Sequence, residues 1–333
     1  MPQAVYRAAK RDAVVRALTK VGLDSEVADI VAVPPGTRRR AVFKIAKRGS
    51  ETEIGFHALR SHAIVDMREC LVLTPPLVTL VPRLRSVMND LFAGGQHAEA
   101  HVTEADNGLD IAFRASAKLT PALTAALAKA APALHAIRIT WNGALAFESA
   151  APAVRFAKAE VKIPLEAFLQ PTREGEAALT VRVLEAVKGA KSVADLFSGC
   201  GTFSLPLAGQ ARVHAVEREQ VMLDALAAAA RATKGLKPVT TEKRDLFKLP
   251  VTERELGRFD AVVLDPPRAG AEAQVRQLAG SKVPRLAYVS CDAASFARDA
   301  RILADGGYRL GRVTPIDQFP WSSHIELMAA FAR

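Results

Sequence analysis

The chain has 333 residues, half of them hydrophobic and a quarter charged, which suits a soluble globular protein with two cores. Its apolar runs are broken by charge or proline well short of about 18 residues, and its start, MPQAVYRAAKRDAVVRAL, alternates charge with apolar side chains; a membrane span and a signal-peptide core are excluded, and the cytoplasm is the expected location. Three widely spaced cysteines, Cys70, Cys200 and Cys291, have neither zinc spacing nor the density of a disulfide framework, so free thiols and no metal site are expected.

In chain order, residues 4–20 set Val5, Ala9, Val14, Val15 and Leu18 among Lys and Arg, which predicts an amphipathic helix ending near Gly22. RRRAVFKIAKR alternates basic with apolar residues, and ETEIGFHAL and SHAIVDM follow at strand length, a small antiparallel sheet with a basic face. LVTLVPRLRSVMNDLF reads as a helix kinked or interrupted at Pro82. Hairpins are expected where Asp-Asn-Gly divides AEAHVTEADNGLDIAFRA and where Asn142-Gly143 divides HAIRITWNGALAFESA, with the helix PALTAALAKA between them. The first part, 1–165, is thus α+β. It carries 22 Lys/Arg against 15 Asp/Glu, whereas residues 166–333 carry 23 against 20, so +7 of the net +10 lies in the first half. That asymmetry points to a polyanionic partner held mainly by residues 1–165, although charge serving solubility alone would look the same.

Past VKIPLEAFLQP the pattern changes. A helix over TREGEAALTVRVLEAVKGA precedes apolar strands separated by helices: SVADLF, ARVHAVE, VTTEKR, FDAVVLD and RLAYVSC. Buried strands alternating with helices predict a parallel, doubly wound sheet. The chain ends on YRLGRVTPIDQF and HIELMAAFAR with no helix between, an antiparallel pair. The expected fold is therefore α/β: a Rossmann-like, seven-stranded class I methyltransferase domain over 166–333, preceded by the smaller α+β domain over 1–165.

All five of these strands lead into groups that can do chemistry. Asp195-Leu-Phe-Ser-Gly199-Cys-Gly201-Thr202-Phe203 follows a strand and opens a helix, and its glycines allow a sharp turn and a close ligand approach. Glu217 ends the next strand, where a carboxylate can accept both ribose hydroxyls of a nucleoside; Asp245 could bond an adenine amino group or cap a helix. Asp265-Pro266-Pro267-Arg268 ends the fourth strand and Cys291 the fifth, and carboxyl ends of parallel strands face the ligand crevice. Cys291 stands 26 positions after Asp265 and 35 before Glu326. A lone cysteine is as a rule inert and buried, but this address favours a nucleophile, with basic residues nearby in the chain to favour its thiolate. Glu326 lies inside an apolar strand, where an acid is costly unless paired or functional, which makes it a general-base candidate; His324 shares its face.

Together FLQ, DLFSGCGTFSLPLA, AVE, DPPRAG, YVSCDAASFARD and DQFPWSSHIE resemble, in order and spacing, the uracil-C5 RNA methyltransferases, which form 5-methyluridine in tRNA and 23S rRNA. The resemblance implies S-adenosyl-L-methionine as cofactor, Cys291 as nucleophile and Glu326 as base. It also implies a site for cofactor and target base lined by Gln170, Phe197, Gly199, Thr202, Glu217, Asp245 and Asp265. Thr202 and Thr172 stand where the family usually has Asn. Many relatives begin with a TRAM domain and carry an iron–sulfur cluster on four cysteines; here Cys70 matches only the fourth ligand position, so no intact cluster is expected. An RNA partner (tRNA or 23S rRNA), no membrane and a monomer are the corresponding expectations. The competing readings are an amino-group methyltransferase of the Asp-Pro-Pro type, a 5-methylcytidine enzyme, a non-catalytic RNA-binding or folding factor, and a nicotinamide dehydrogenase; the last lacks its third glycine, having Ser204 there.

Overall fold

The computed structural model describes residues 2–92 and 95–333. Helix α1 (Gln3–Lys20) and a two-residue strand β1 (Val31–Ala32) open the chain. Antiparallel strands follow with a helix between them: β2 (Arg40–Arg48), β3 (Glu51–His57), β4 (Ile64–Asp66), helix α2 (Pro75–Leu91), β5 (His97–Ala105) and β6 (Gly108–Ala115). Helix α3 (Pro121–Ala130), β7 (Ala136–Trp141) and β8 (Ala144–Glu148) complete a sheet of order β4-β3-β2-β5-β6-β7-β8, in which only β6 and β7 are parallel. The hairpin at Asn142-Gly143 forms because both residues take positive φ, 51° and 82°, as a two-residue type I′ turn requires.

Helix α2 runs through Pro82 without interruption, because Leu77, Leu80, Val81, Leu84 and Met88 bury one continuous face on the sheet and outweigh the lost backbone bond. Phe43, Ile45, Phe113, Ile139 and Trp141 meet that face from the strands. A separate hairpin, β9 (Ala153–Phe156) and β10 (Ala159–Lys162), packs against the second half.

The second half alternates as expected: α4 (Arg173–Ala186), β11 (Ser192–Leu196), α5 (Ser204–Ala208), β12 (Arg212–Glu217), α6 (Gln220–Ala232), β13 (Val239–Lys243), α7 (Glu253–Leu256), β14 (Ala261–Leu264), α8 (Glu272–Gly280), β15 (Arg285–Ser290), α9 (Ala293–Asp305), β16 (Arg309–Asp317) and β17 (Glu326–Ala332). Its sheet has the order β1-β16-β17-β15-β14-β11-β12-β13, with β17 antiparallel to both neighbours. The sheet is the expected Rossmann-like methyltransferase sheet with one strand added, eight rather than seven. The eighth is β1, parallel to β16 at the edge. Helix α1 also joins this half: Val14 and Leu18 are buried in one core with Phe296, Tyr308 and Val313. The N-terminal helix, grouped with residues 1–165 by the sequence reading, thus packs beside α9. Among the described residues no helix is long and apolar enough to cross a membrane.

Candidate active site

Strand order reverses between β11 and β14, the place where an open parallel sheet leaves a crevice above its carboxyl ends. A cavity of about 490 Å³ lies there, and its wall includes every site residue expected from sequence: Gln170, Phe197, Gly199, Thr202, Glu217, Asp245, Asp265, Cys291 and Glu326. The register explains the meeting. Leu196, Val216 and Leu264 pair side by side at the ends of their strands, so the residues after them emerge together. Ser290 pairs with Leu327, so one further step along the ladder sets Cys291 beside Glu326.

The loop after β11 turns sharply, with Phe197 at φ 64° and Gly201 at φ 103°. A side chain on Gly201 would also meet Leu226 at 2.5 Å. Glu217 secures the loop from the next strand: Oε2 accepts the Gly199 N–H at 3.1 Å, and Oε1 accepts those of Arg218 at 2.7 Å and Glu219 at 3.1 Å. Phe197 and Phe247 face each other at 5.5 Å, leaving an apolar wall next to Asp245. Asp195, fully buried at the base of the loop, accepts from Ser204 at 2.5 Å through Oδ2, while its Oδ1 has no partner among the described residues. Burial, with the Glu217 charge adding to it against the Ser204 bond, raises Asp195 to about 7. The carboxyls of Glu217 and Asp245 and an apolar slot suit a cationic nucleoside, with donors on its ribose and amino groups, so S-adenosylmethionine fits this wall.

The corner that holds Cys291, Asp265 and Glu326 is acidic. Burial, reinforced by Asp265, pushes Glu326 up to about 8; burial and Asp195 push Asp265 up to about 7, opposed by a Gln170 hydrogen bond. Cys291 is raised to about 11 by burial and by the Glu326 and Asp265 charges, with Arg268 acting the other way. The expectation that basic neighbours favour a thiolate is therefore corrected. Arg268 is 65% exposed and leans 3.6 Å from Asp292, too weak a counter-charge against two carboxyls. Cys291 rests as a thiol. Its alkylation by iodoacetamide at pH 7.5 should be about a hundredfold slower than that of free cysteine, since thiolate fraction sets the rate. Above about pH 8, where Glu326 is ionised, Glu326→Gln should speed it, as peptide mass spectrometry of the labelled protein would show; a rate matching free cysteine at pH 7.5 would refute this account.

A chain of buried amides behind the crevice was not visible in sequence. Gln170 Nε2 donates to Asp265 at 3.4 Å, Gln318 Nε2 donates to Gln170 Oε1 at 2.9 Å, and Gln318 Oε1 accepts from Thr172 Oγ1 at 3.1 Å. Gly175 makes room, since a Cβ there would lie 2.2 Å from Gln318. The arginine run, read as part of a basic face, does different work. Arg39 is 2% exposed, donates to the Gln170 carbonyl at 3.1 Å and pairs with Glu176 at 2.6 Å. Arg40 donates to the Leu169 carbonyl at 2.7 Å and lies over the Phe168 ring. These arginines clasp the loop that presents Gln170. Arg39→Met should cost about 3 kcal/mol or more of unfolding free energy in urea titrations, because Glu176 is left buried without its partner; a cost below about 1 kcal/mol would contradict the clasp.

Cys200 is buried in the loop and pushed up to about 12 by desolvation, a packing thiol. Cys70 is a half-buried free thiol, and among the described residues no group of three or more His, Cys, Asp or Glu side chains could hold a metal.

Comparison with known proteins bears on the whole chain. The family model described as tRNA (Uracil-5-)-methyltransferase matches residues 154–332. An uncharacterized RNA methyltransferase of Rhizobium meliloti is 43% identical over 330 residues, covering 99% of this chain and 80% of the relative. The chain belongs to the tRNA (uracil-5-)-methyltransferase family. As a member of that family it is an RNA uracil methyltransferase. The 23S rRNA (uracil(1939)-C(5))-methyltransferase RlmD of Shewanella halifaxensis is 33% identical over 306 residues, covering 88% of this chain and 68% of the relative. In fold the family member superposes on the Pyrococcus abyssi tRNA (uracil-54, C5)-methyltransferase, solved with S-adenosyl-L-homocysteine. The TM-score is 0.79 at 22% identity, covering 100% of this chain and 83% of that one.

Proposed function

We propose that the protein forms 5-methyluridine in a tRNA or in 23S rRNA through a covalent bond between Cys291 and C6 of the target uracil. The observation that supports this most is the shared corner of Cys291, Asp265 and Glu326 at adjoining strand ends. An amino-group methyltransferase has no use for a thiol there.

S-adenosylmethionine supplies an electrophilic methyl group on a sulfonium; Glu217, Asp245 and the Phe197–Gly199–Thr202 loop would hold it. Uracil C5 is too poor a nucleophile to take that methyl unaided. The Cys291 thiol loses its proton to Asp265 or to solvent and its sulfur adds to C6, so electron density gathers at C5. With S-adenosylmethionine held there, C5 would bond to the methyl carbon as the methyl–sulfonium bond breaks, leaving S-adenosylhomocysteine. Glu326 removes the C5 proton, the C6–S bond breaks, and the ring double bond and the thiol are restored. A glutamate held near 8 is a stronger base than an exposed one and is matched to working pH. Gln170, braced by Gln318 and Arg39, orients Asp265 beside this chemistry. The target base must leave its stack to reach the crevice.

We further infer a working division near residue 165, the first part gripping RNA and the second holding cofactor and chemistry, with α1 and β1 structurally lodged in the second. The test uses RNA carrying 5-fluorouridine. Fluorine at C5 cannot leave as a proton would, so a denaturation-stable protein–RNA adduct accumulates; no adduct on RNA that demonstrably binds would sink the covalent scheme. Nucleoside mass spectrometry of tRNA and rRNA from a deletion strain then identifies the site.

A further inference from the structure

The loop from β16 to β17 leads directly to Glu326, yet it holds a large aromatic residue out in water. Of the two tryptophans, Trp141 is 1% exposed in a core, whereas Trp321 is 62% exposed. Trp321 also sits at φ 60°, a left-handed conformation that bulky residues avoid. Strain of this kind persists only where the surroundings enforce it.

Helix α1 does the enforcing. The Trp321 N–H donates to the Tyr6 hydroxyl at 2.8 Å, and that hydroxyl donates to Asp317 Oδ2 at 2.7 Å. Lys10, 7% exposed, donates to Asp317 Oδ1 at 2.5 Å, to the Phe319 carbonyl at 3.0 Å and to the His324 carbonyl at 2.8 Å. One buried ammonium therefore grips both shoulders of the loop while a phenol grips its tip. Ser322 closes the turn on itself, its hydroxyl donating to the Phe319 carbonyl at 2.9 Å. The Arg38 guanidinium lies 5.6 Å from the Phe319 ring. The loop is fixed at both ends, runs directly into Glu326 of the crevice wall, and holds an indole out in water.

We propose that Trp321 is a stacking platform for an unpaired base of the RNA strand next to the target uridine, locked in place by Tyr6 and Lys10. A rigid aromatic face in water binds any nucleobase by stacking, and little ordering entropy remains to be lost. A nucleotide beside the flipped uridine has lost a stacking neighbour, and the indole replaces it. This inference rests on the proposed RNA chemistry of the same crevice, but its test is separable from turnover.

The measurement is equilibrium binding of tRNA and 23S rRNA prepared from a strain lacking this protein. W321A should weaken binding of the substrate RNA about tenfold or more, in keeping with the usual effect of losing one base–aromatic stack. W321F keeps a ring and should stay within about threefold of wild type. Y6F removes the acceptor of the Trp321 N–H and should fall between them. In all three, S-adenosylhomocysteine affinity should be unchanged, because the cofactor wall is untouched. The long-wavelength part of the tryptophan emission, absent in W321F, should be quenched when RNA binds. Equal RNA affinity of W321A and wild type, or an emission indifferent to bound RNA, would overturn the proposal. If wild type forms no 5-fluorouridine adduct while the W321A binding loss persists, the covalent chemistry fails and the platform stands.

Discussion

Cys291→Ala should abolish methyl transfer, a loss on the order of a thousandfold or more, as removal of a covalent nucleophile produces. The same variant should bind S-adenosylhomocysteine within a few-fold of wild type. Glu217, proposed to hold the cofactor, ends β12, three strand spacings from β15, which is about 14 Å. Radiolabelled methyl transfer and calorimetric titration read the two effects separately. Cys291→Ser should be as inactive as the alanine, because a hydroxyl in this acidic corner is far harder to ionise than the thiol. Turnover near the wild-type rate in either variant would show that another group attacks C6, or that none does.

Glu326→Gln should stop the reaction one step later. Sulfur can still add to C6 and C5 can still take the methyl, but nothing removes the C5 proton. Turnover should drop by about a hundredfold to ten-thousandfold. A denaturation-resistant adduct should then appear on ordinary uridine RNA, with the methyl label in it. Absence of that adduct, with turnover lost, would place Glu326 before methyl transfer instead of after it. The substitution should also change stability in a pH-dependent way. A carboxyl raised from its ordinary 4.5 to about 8 in the folded protein binds a proton that the unfolded chain has already released. The contribution of Glu326 to stability is therefore greatest below about 4.5, declines as pH rises towards 8, and levels off beyond. Glutamine has no proton to lose. At pH 9 in the absence of ligands, Glu326→Gln should resist urea better than wild type by about 2–4 kcal/mol relative to their difference at pH 5. An equal difference at both pH values would mean that Glu326 is not held protonated by its surroundings.

How far the sequence could be read depended on how local the deciding physics is. Asp265 and Cys291 were legible because each closes an apolar run at the end of a parallel strand, and strand ends of that kind open onto one crevice. Glu326 was legible as an acid inside an apolar run, and its pairing beside Cys291 needed only the register of adjacent strands. Arg39 was not. Alternation of basic and apolar residues looks the same whether the charge meets water or a carboxyl, and its partners at Gln170 and Glu176 lie 131 and 137 positions away. Gln318 was quoted within a motif without a role, because an amide declares its partner only once the fold brings one. The thiol's protonation is not local either: basic residues lie nearby in the chain, whereas burial, then two carboxyls from other strands, holds the proton on in space. Strand β1 carries no periodic signal at two residues and exists only as an addition to β16.

The joining of α1 and β1 to the last strands has a consequence for synthesis. Lys10 meets Asp317 across 307 positions, and Val31 pairs with Ile316. Helix α1, made before its partners, is thus among the last elements to find its place. The sheet from β2 to β8 pairs within residues 40–148 and can form its core early, while the helix before it must wait for β16 and β17. Contacts of such separation slow folding and leave the waiting helix exposed to other chains. Arrival of β16 and β17, rather than growth of the first core, is the event that assembles the corner around Glu326.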